Sequence, residues 1–142
     1  MSRPPSLGTQ LSFALYGAAN RMVRLHKIHL EPLGLTFPQY LVMLELLDNA
    51  PQTVGALGRR LDMDTGTITP LLKRLDAAGL LTRTRDPDDE RRVLVELTSK
   101  GRALDADLRG VTDKIKSACQ LTDDGVDELR RTLETLAHPA SE

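Results

Sequence analysis

The sequence predicts a mainly α-helical fold carrying one small β-hairpin, on three observations. Apolar residues recur at three- and four-residue spacing through most of the chain, beginning with Leu11, Leu15, Ala18, Ala19, Met22 and Leu25. Thr36, Thr53, Thr98 and Thr122 each stand just ahead of such a stretch, where a hydroxyl can accept from the orphaned amides of a first helical turn. Between Leu80 and Leu97 the period changes: residues 80–85 and 92–97 are β-prone runs flanking the polar, proline-containing residues 86–91.

Residues 1–8 hold two prolines, a glycine and two serines and read as a loose tail. A first helix is expected from Thr9 to about Leu30, broken by Pro32 and Gly34. Thr36-Phe37-Pro38-Gln39 has the form of a capping box, and Pro38 costs little in a first turn whose amides have no intrahelical partner. The second helix, apolar at Leu41, Val42, Leu44, Leu46 and Leu47, ends near Asn49. Thr53 opens a short helix over 54–61, Asp62-Met63-Asp64 makes a tight connection, and a third helix over 65–78 turns Ile68, Leu71, Leu72 and Leu75 inward. Gly79 stands where a left-handed residue ends that helix. Pro70 fits badly inside it, and would be tolerated if the helix began nearer Thr67 or Thr69. After the hairpin, Thr98 caps a long helix through Leu104, Leu108, Val111 and Ile115 towards Cys119, and Thr122 caps a last one through Val126, Leu129, Leu133 and Leu136.

Two short helices joined by about three residues form a helix-turn-helix, and the hairpin that follows makes it a winged helix-turn-helix with N- and C-terminal dimerisation helices. The expected organisation is a tail (1–8), N-terminal helices for dimerisation and an effector pocket (9–50), a winged DNA-binding lobe (51–102) and C-terminal dimerisation helices (103–142). The first and last helices have apolar faces with little domain left to cover, so a second copy is expected to pack on them. A twofold dimer would set two recognition helices in successive major grooves, about 34 to 36 Å apart, over a pseudo-palindrome.

Composition bounds the function. The 142 residues include 19 Lys and Arg, 20 Asp and Glu, and one cysteine. A single cysteine excludes an intramolecular disulfide and any Cys-based zinc set, and fits a reducing, cytoplasmic setting. No apolar run is long enough to span a bilayer, and the N-terminus has no signal-like block. The net charge of -1 conceals a division: residues 53–102 carry 10 basic and 8 acidic side chains, residues 103–142 carry 5 and 9. With no phosphate-binding glycine loop and no nucleophile in a motif, neither an enzyme nor a cofactor is expected. His26 and His29 share a helix face, but Glu31 is the only further ligand nearby, so they read as pocket-lining or exposed rather than metal-binding.

Leu71-Leu72-Lys73-Arg74-Leu75-Asp76-Ala77-Ala78-Gly79-Leu80-Leu81-Thr82-Arg83, with Asp86-Pro87-Asp88-Asp89-Glu90-Arg91-Arg92 and Leu97-Thr98, resembles the recognition helix and wing of the MarR family of bacterial repressors. Within that family, Leu11-Ser12-Phe13-Ala14-Leu15-Tyr16, Leu35-Thr36-Phe37-Pro38-Gln39-Tyr40-Leu41 and residues 64–74 are similar to the organic hydroperoxide resistance regulators. The resemblance covers roughly Leu7 to Arg102. It implies a dimeric repressor of double-stranded DNA, released by a small-molecule or hydroperoxide effector. It also implies a sensing cysteine at the position of Ser12, assisted by tyrosines of the partner subunit at the positions of His26 and Phe37; only Tyr16 is retained. A serine hydroxyl forms no thiolate and cannot be oxidised in this way.

The candidate DNA contacts are Thr65, Thr67, Thr69, Lys73 and Arg74, the polar side chains left when the helix buries its apolar face. Arg91 is expected at the minor groove, held by Asp89 as the resemblance implies, with Arg83 and Arg85 supporting the wing and Arg92 equally well a solvated strand residue. Ser12, Tyr16, His26 and Phe37 form the candidate effector pocket. Cys119 reads as a buried structural thiol, with redox chemistry as its alternative role. The other functional class is a winged helix that binds protein rather than DNA, with the acidic C-terminal helices as contact.

Overall fold

The computed structural model describes residues 6–139; the expected tail falls mostly in residues 1–5, outside the described residues. A 3-10 turn, Leu7–Thr9, leads into α1 (Leu11–Leu30), and a second 3-10 turn, Glu31–Leu33, leads to α2 (Phe37–Asp48). Then follow β1 (Gln52–Thr53), α3 (Val54–Arg60), α4 (Thr65–Ala77), β2 (Leu81–Asp86), β3 (Asp89–Leu97), α5 (Ser99–Arg102), α6 (Asp105–Ala118) and α7 (Asp123–Ala137). The mostly helical chain thus carries a three-stranded antiparallel sheet, in the order β1-β3-β2. None of its described helices is long and apolar enough to cross a membrane.

Local chemistry accounts for where the helices begin. The capping box at Thr36 is complete: the Thr36 amide donates to Gln39 Oε1 at 2.9 Å and the Gln39 amide to Thr36 Oγ1 at 3.4 Å. Thr53, Thr98 and Thr122 accept from the amides of Ala56, Gly101 and Gly125 at 3.1, 3.1 and 3.0 Å. Such caps each contribute about 1 kcal/mol. Gly79 takes φ +77°, as the end of α4 requires.

Three expectations are corrected. The hairpin tip is not 86–91: β2 and β3 reach Asp86 and Asp89, leaving Pro87 and Asp88 as the turn, because the Asp88 amide donates to Asp86 Oδ1 at 2.9 Å and closes it. The long helix after Thr98 is two helices, α5 and α6, parted at Ala103 and Leu104. The short α5 must lie close to the sheet, and a Cβ at Gly101 would stand 2.1 Å from the Leu80 carbonyl oxygen. The helix containing Pro70 does begin at Thr65, as the apolar spacing predicts, capped by Asp64 Oδ1, which accepts from the Thr67 amide at 2.8 Å. Pro70 is therefore interior, at a helical cost of about 3 kcal/mol. Finally, Gln52 and Thr53, expected only to precede a helix, pair with Val95 and Leu94.

The core gathers these elements around the sheet. Leu57, Ile68, Leu72 and Leu75 of the helix-turn-helix meet Leu81, Val95 and Leu97 of the strands, and Val42, Met43 and Leu46 of α2 join them to Leu108 and Val111 of α6. Each fully buried leucine contributes about 1.5 to 3 kcal/mol. The recognition helix is thereby held on all its apolar side, with its other face left to solvent.

Candidate nucleic-acid interface

On α4, the spacing places Ile68, Leu71, Leu72 and Leu75 inward, all buried, and Thr65, Thr67, Lys73 and Arg74 outward, all exposed; Thr69 is half-buried. Between α4 and the hairpin runs a groove of about 560 Å³, lined by Thr65 and Thr69 on one side and by Arg83, Arg91, Arg92 and Val93 on the other. Thr53, Val54, Gly55 and Arg59 form its end. The fold thus brings Thr65 and Thr69 together with the wing arginines, while Thr67, Lys73 and Arg74 stand outside that groove.

Acceptors on neighbouring residues hold each wing arginine, and those beside Arg91 and Arg92 leave the side chains exposed. Arg83 Nε donates to Asp76 Oδ2 at 3.0 Å, tying β2 to the end of α4. Arg85 Nη1 donates to the Glu90 carbonyl at 2.7 Å across the hairpin. Arg91 Nε and Nη2 donate to Asp89 Oδ1 and Oδ2 at 3.1 and 3.4 Å, yet its side chain is 90 % exposed. The Arg91 guanidinium, and then the Arg91 amide, hold the Asp89 carboxyl below its ordinary pKa. This order is present above the usual carboxylate range and lost as pH falls through the lowered value. Arg92 lies 3.8 Å from Asp86. Exposed pairs of this kind contribute little stability, so their effect is orientation.

Among the described residues, Arg59, Lys73 and Arg74 have no carboxylate within ion-pair distance. Arg59 is the groove residue that sequence reasoning missed. Its only local signal is its place in the last turn of α3, six residues ahead of Thr65, and nothing along the chain says that the wing will fold back beside it.

Within one chain the expected effector residues divide. His26 and Phe37 meet, with ring centroids 4.6 Å apart, and Tyr40 closes the cluster at 5.4 Å from His26. Ser12 and Tyr16 are exposed, Tyr16 by 68 %, and Ser12 lies about 21 Å up the same helix from His26 by the rise per residue. His26 is buried, and its Nδ1 donates to the Met22 carbonyl at 2.7 Å. The Tyr40 hydroxyl bonds Thr112 Oγ1, and burial raises its pKa. His26 also lines an apolar groove of about 540 Å³ between α1, α6 and α7, together with Met22, Ile115, Cys119, Leu129 and Leu133. Cys119, expected to be buried, is half-buried there, and its Sγ lies 3.5 Å from Met22 Sδ.

Residues 33–92, which include the helix-turn-helix and most of the wing, match the sequence profile of the MarR family. The chain is 42 % identical over 134 residues to the HTH-type transcriptional regulator TtmR of Methylorubrum extorquens, an alignment covering 94 % of this chain and 67 % of that one. It is 37 % identical to the HTH-type transcriptional regulator MgrA of Staphylococcus aureus, covering 100 % of this chain and 97 % of that one. Overoxidised AbfR of Staphylococcus epidermidis bound to DNA superposes with a TM-score of 0.76 at 33 % identity, over 93 % of each chain.

Proposed function

The chain belongs to the MarR family of DNA-binding transcriptional regulators, and from that premise we propose that it is a cytoplasmic, homodimeric repressor of a pseudo-palindromic operator. Each copy lays α4 in a major groove, where Thr65, Thr67 and Thr69 approach bases and phosphates and Lys73 and Arg74 neutralise phosphates. Arg91, aimed by Asp89 on a wing braced by Arg83 and Arg85, enters the adjacent minor groove. The observation that carries this reading is the arginine-lined groove between α4 and the wing, where Asp89 and Asp86 lie against Arg91 and Arg92 and leave both side chains exposed.

The signal proposed to release DNA is a small molecule or an oxidant related to organic hydroperoxide stress. A hydroperoxide-regulator pattern around Ser12 and Tyr16 supports it, as does likeness to a regulator captured in an overoxidised state. Ser12 and Tyr16 of one copy would face His26 and Phe37 of the other. Ser12 cannot be oxidised as a thiol, so any thiol chemistry in this chain passes through Cys119.

Duplexes selected from a randomised pool test the reading. Affinity should fall with salt by about 0.9 in log-log slope per phosphate neutralised, and Lys73→Ala and Arg91→Ala should each lower that slope by about this amount. Unchanged slopes would overturn the assigned contacts. Cumene hydroperoxide should leave the Cys119→Ser complex with DNA intact; release from that variant would show that oxidation is read elsewhere.

A further inference from the structure

Gly66, Pro70, Lys73 and Ala77, spaced by four, three and four residues, form the centre of the outward face of α4, and all four are exposed. The threonines lie on its flanks. At this centre the side-chain chemistry is sparse: position 66 has no Cβ, and position 70 presents a pyrrolidine ring. The backbone supplies what the side chains do not. Pro70 has no N–H, so the Gly66 carbonyl lacks the donor that position i+4 gives every other carbonyl of a helix interior. No side chain and no backbone group from outside the helix replaces that donor among the described residues. An acceptor without its helical donor and an apolar ring therefore lie one turn apart on the exposed face of a helix that would be more stable with alanine in place of the proline.

We propose that Gly66 and Pro70 form a base-reading step that selects an A·T pair in each operator half-site. The proposal rests on the DNA-binding reading and deepens it. In the major groove an A·T pair alone offers, on one edge, a thymine C5-methyl and an adenine N6 amino group. The Pro70 ring packs on the methyl, and the Gly66 carbonyl accepts from the amino group. A G·C pair lacks the methyl. The missing Cβ at Gly66 lets the helix approach closely enough for its backbone to be read against the base edge.

The test uses the full chain and duplexes selected from a randomised pool by the wild type and by Pro70→Ala, which restores the amide and removes the ring. The wild type is expected to require A·T at one position of each half-site, and Pro70→Ala to accept other pairs there, with an unchanged salt slope. At that position, deoxyuridine for thymidine removes only the methyl, and deoxynebularine for deoxyadenosine removes only the amino group. Each should weaken wild-type binding about five- to tenfold and leave Pro70→Ala within about twofold. A Pro70→Ala variant that keeps the same preference, or a wild type indifferent to either analogue, overturns the proposal. Failure of the DNA reading looks different: the wild type would then enrich no sequence and bind duplex without salt dependence.

Discussion

In the winged lobe and in the terminal helices the same amphipathic pattern meets opposite fates. Helix α4 buries Ile68, Leu71, Leu72 and Leu75, and the sheet, α2 and α3 cover them. Helix α7, also apolar at three- and four-residue spacing, buries none of its residues: Leu129, Leu133 and Leu136 are 48, 39 and 53 % exposed. The N-terminal half of α1 is likewise open at Leu11, Phe13 and Tyr16. An apolar stripe specifies that a helix will be covered, but not by which chain. The lobe covers its own stripe; the terminal helices leave theirs for the second copy proposed above.

Substitutions of similar kind in the two regions should therefore fail differently. The largest effect is expected for Leu129→Asp with Leu133→Asp. On a twofold interface each change counts twice, and charge replaces buried apolar surface, so self-association should weaken about a thousandfold or more. Sedimentation should show monomers with native helical content, and a variant still dimeric would remove α7 from the interface. Next, Leu72→Ala should cost about 2 to 5 kcal/mol, because the lobe around it is closed. It should lower the thermal midpoint while the chain that remains folded still dimerises. A small loss would mean that the lobe is less self-contained than its burial implies. The smallest effect, about 1 kcal/mol, is expected for Tyr40→Phe, which removes the bond to Thr112 that joins α2 to α6 between the two regions. Denaturant unfolding at constant slope would measure it.

The helices were legible because their causes are local. A threonine three residues ahead of an amide, a glycine at a helix end and a leucine every third or fourth residue act within a turn or two, and their outcome appears in Thr36, Gly79 and the inward face of α4. The polar face of α4 was legible for the same reason, as what remained after the apolar one was removed. Pro70 sits badly on local preference alone, yet the Asp64 cap and the burial of Ile68 against the core hold the helix from Thr65, where the apolar spacing placed it. Arg59 was not legible, since its place depends on a wing more than twenty residues away in sequence.

By itself the sequence determined the fold class, the helix starts and the face that α4 shows to solvent, all through interactions that close within a few residues. Tertiary structure alone decided the pairing of β1 with β3, the parting of α5 from α6, the gathering of Arg59 and the wing arginines around one groove, and the tilted packing of His26 against Phe37 and Tyr40. Those join residues distant along the chain, and they form only where burying the shared core repays the entropy of bringing such segments together.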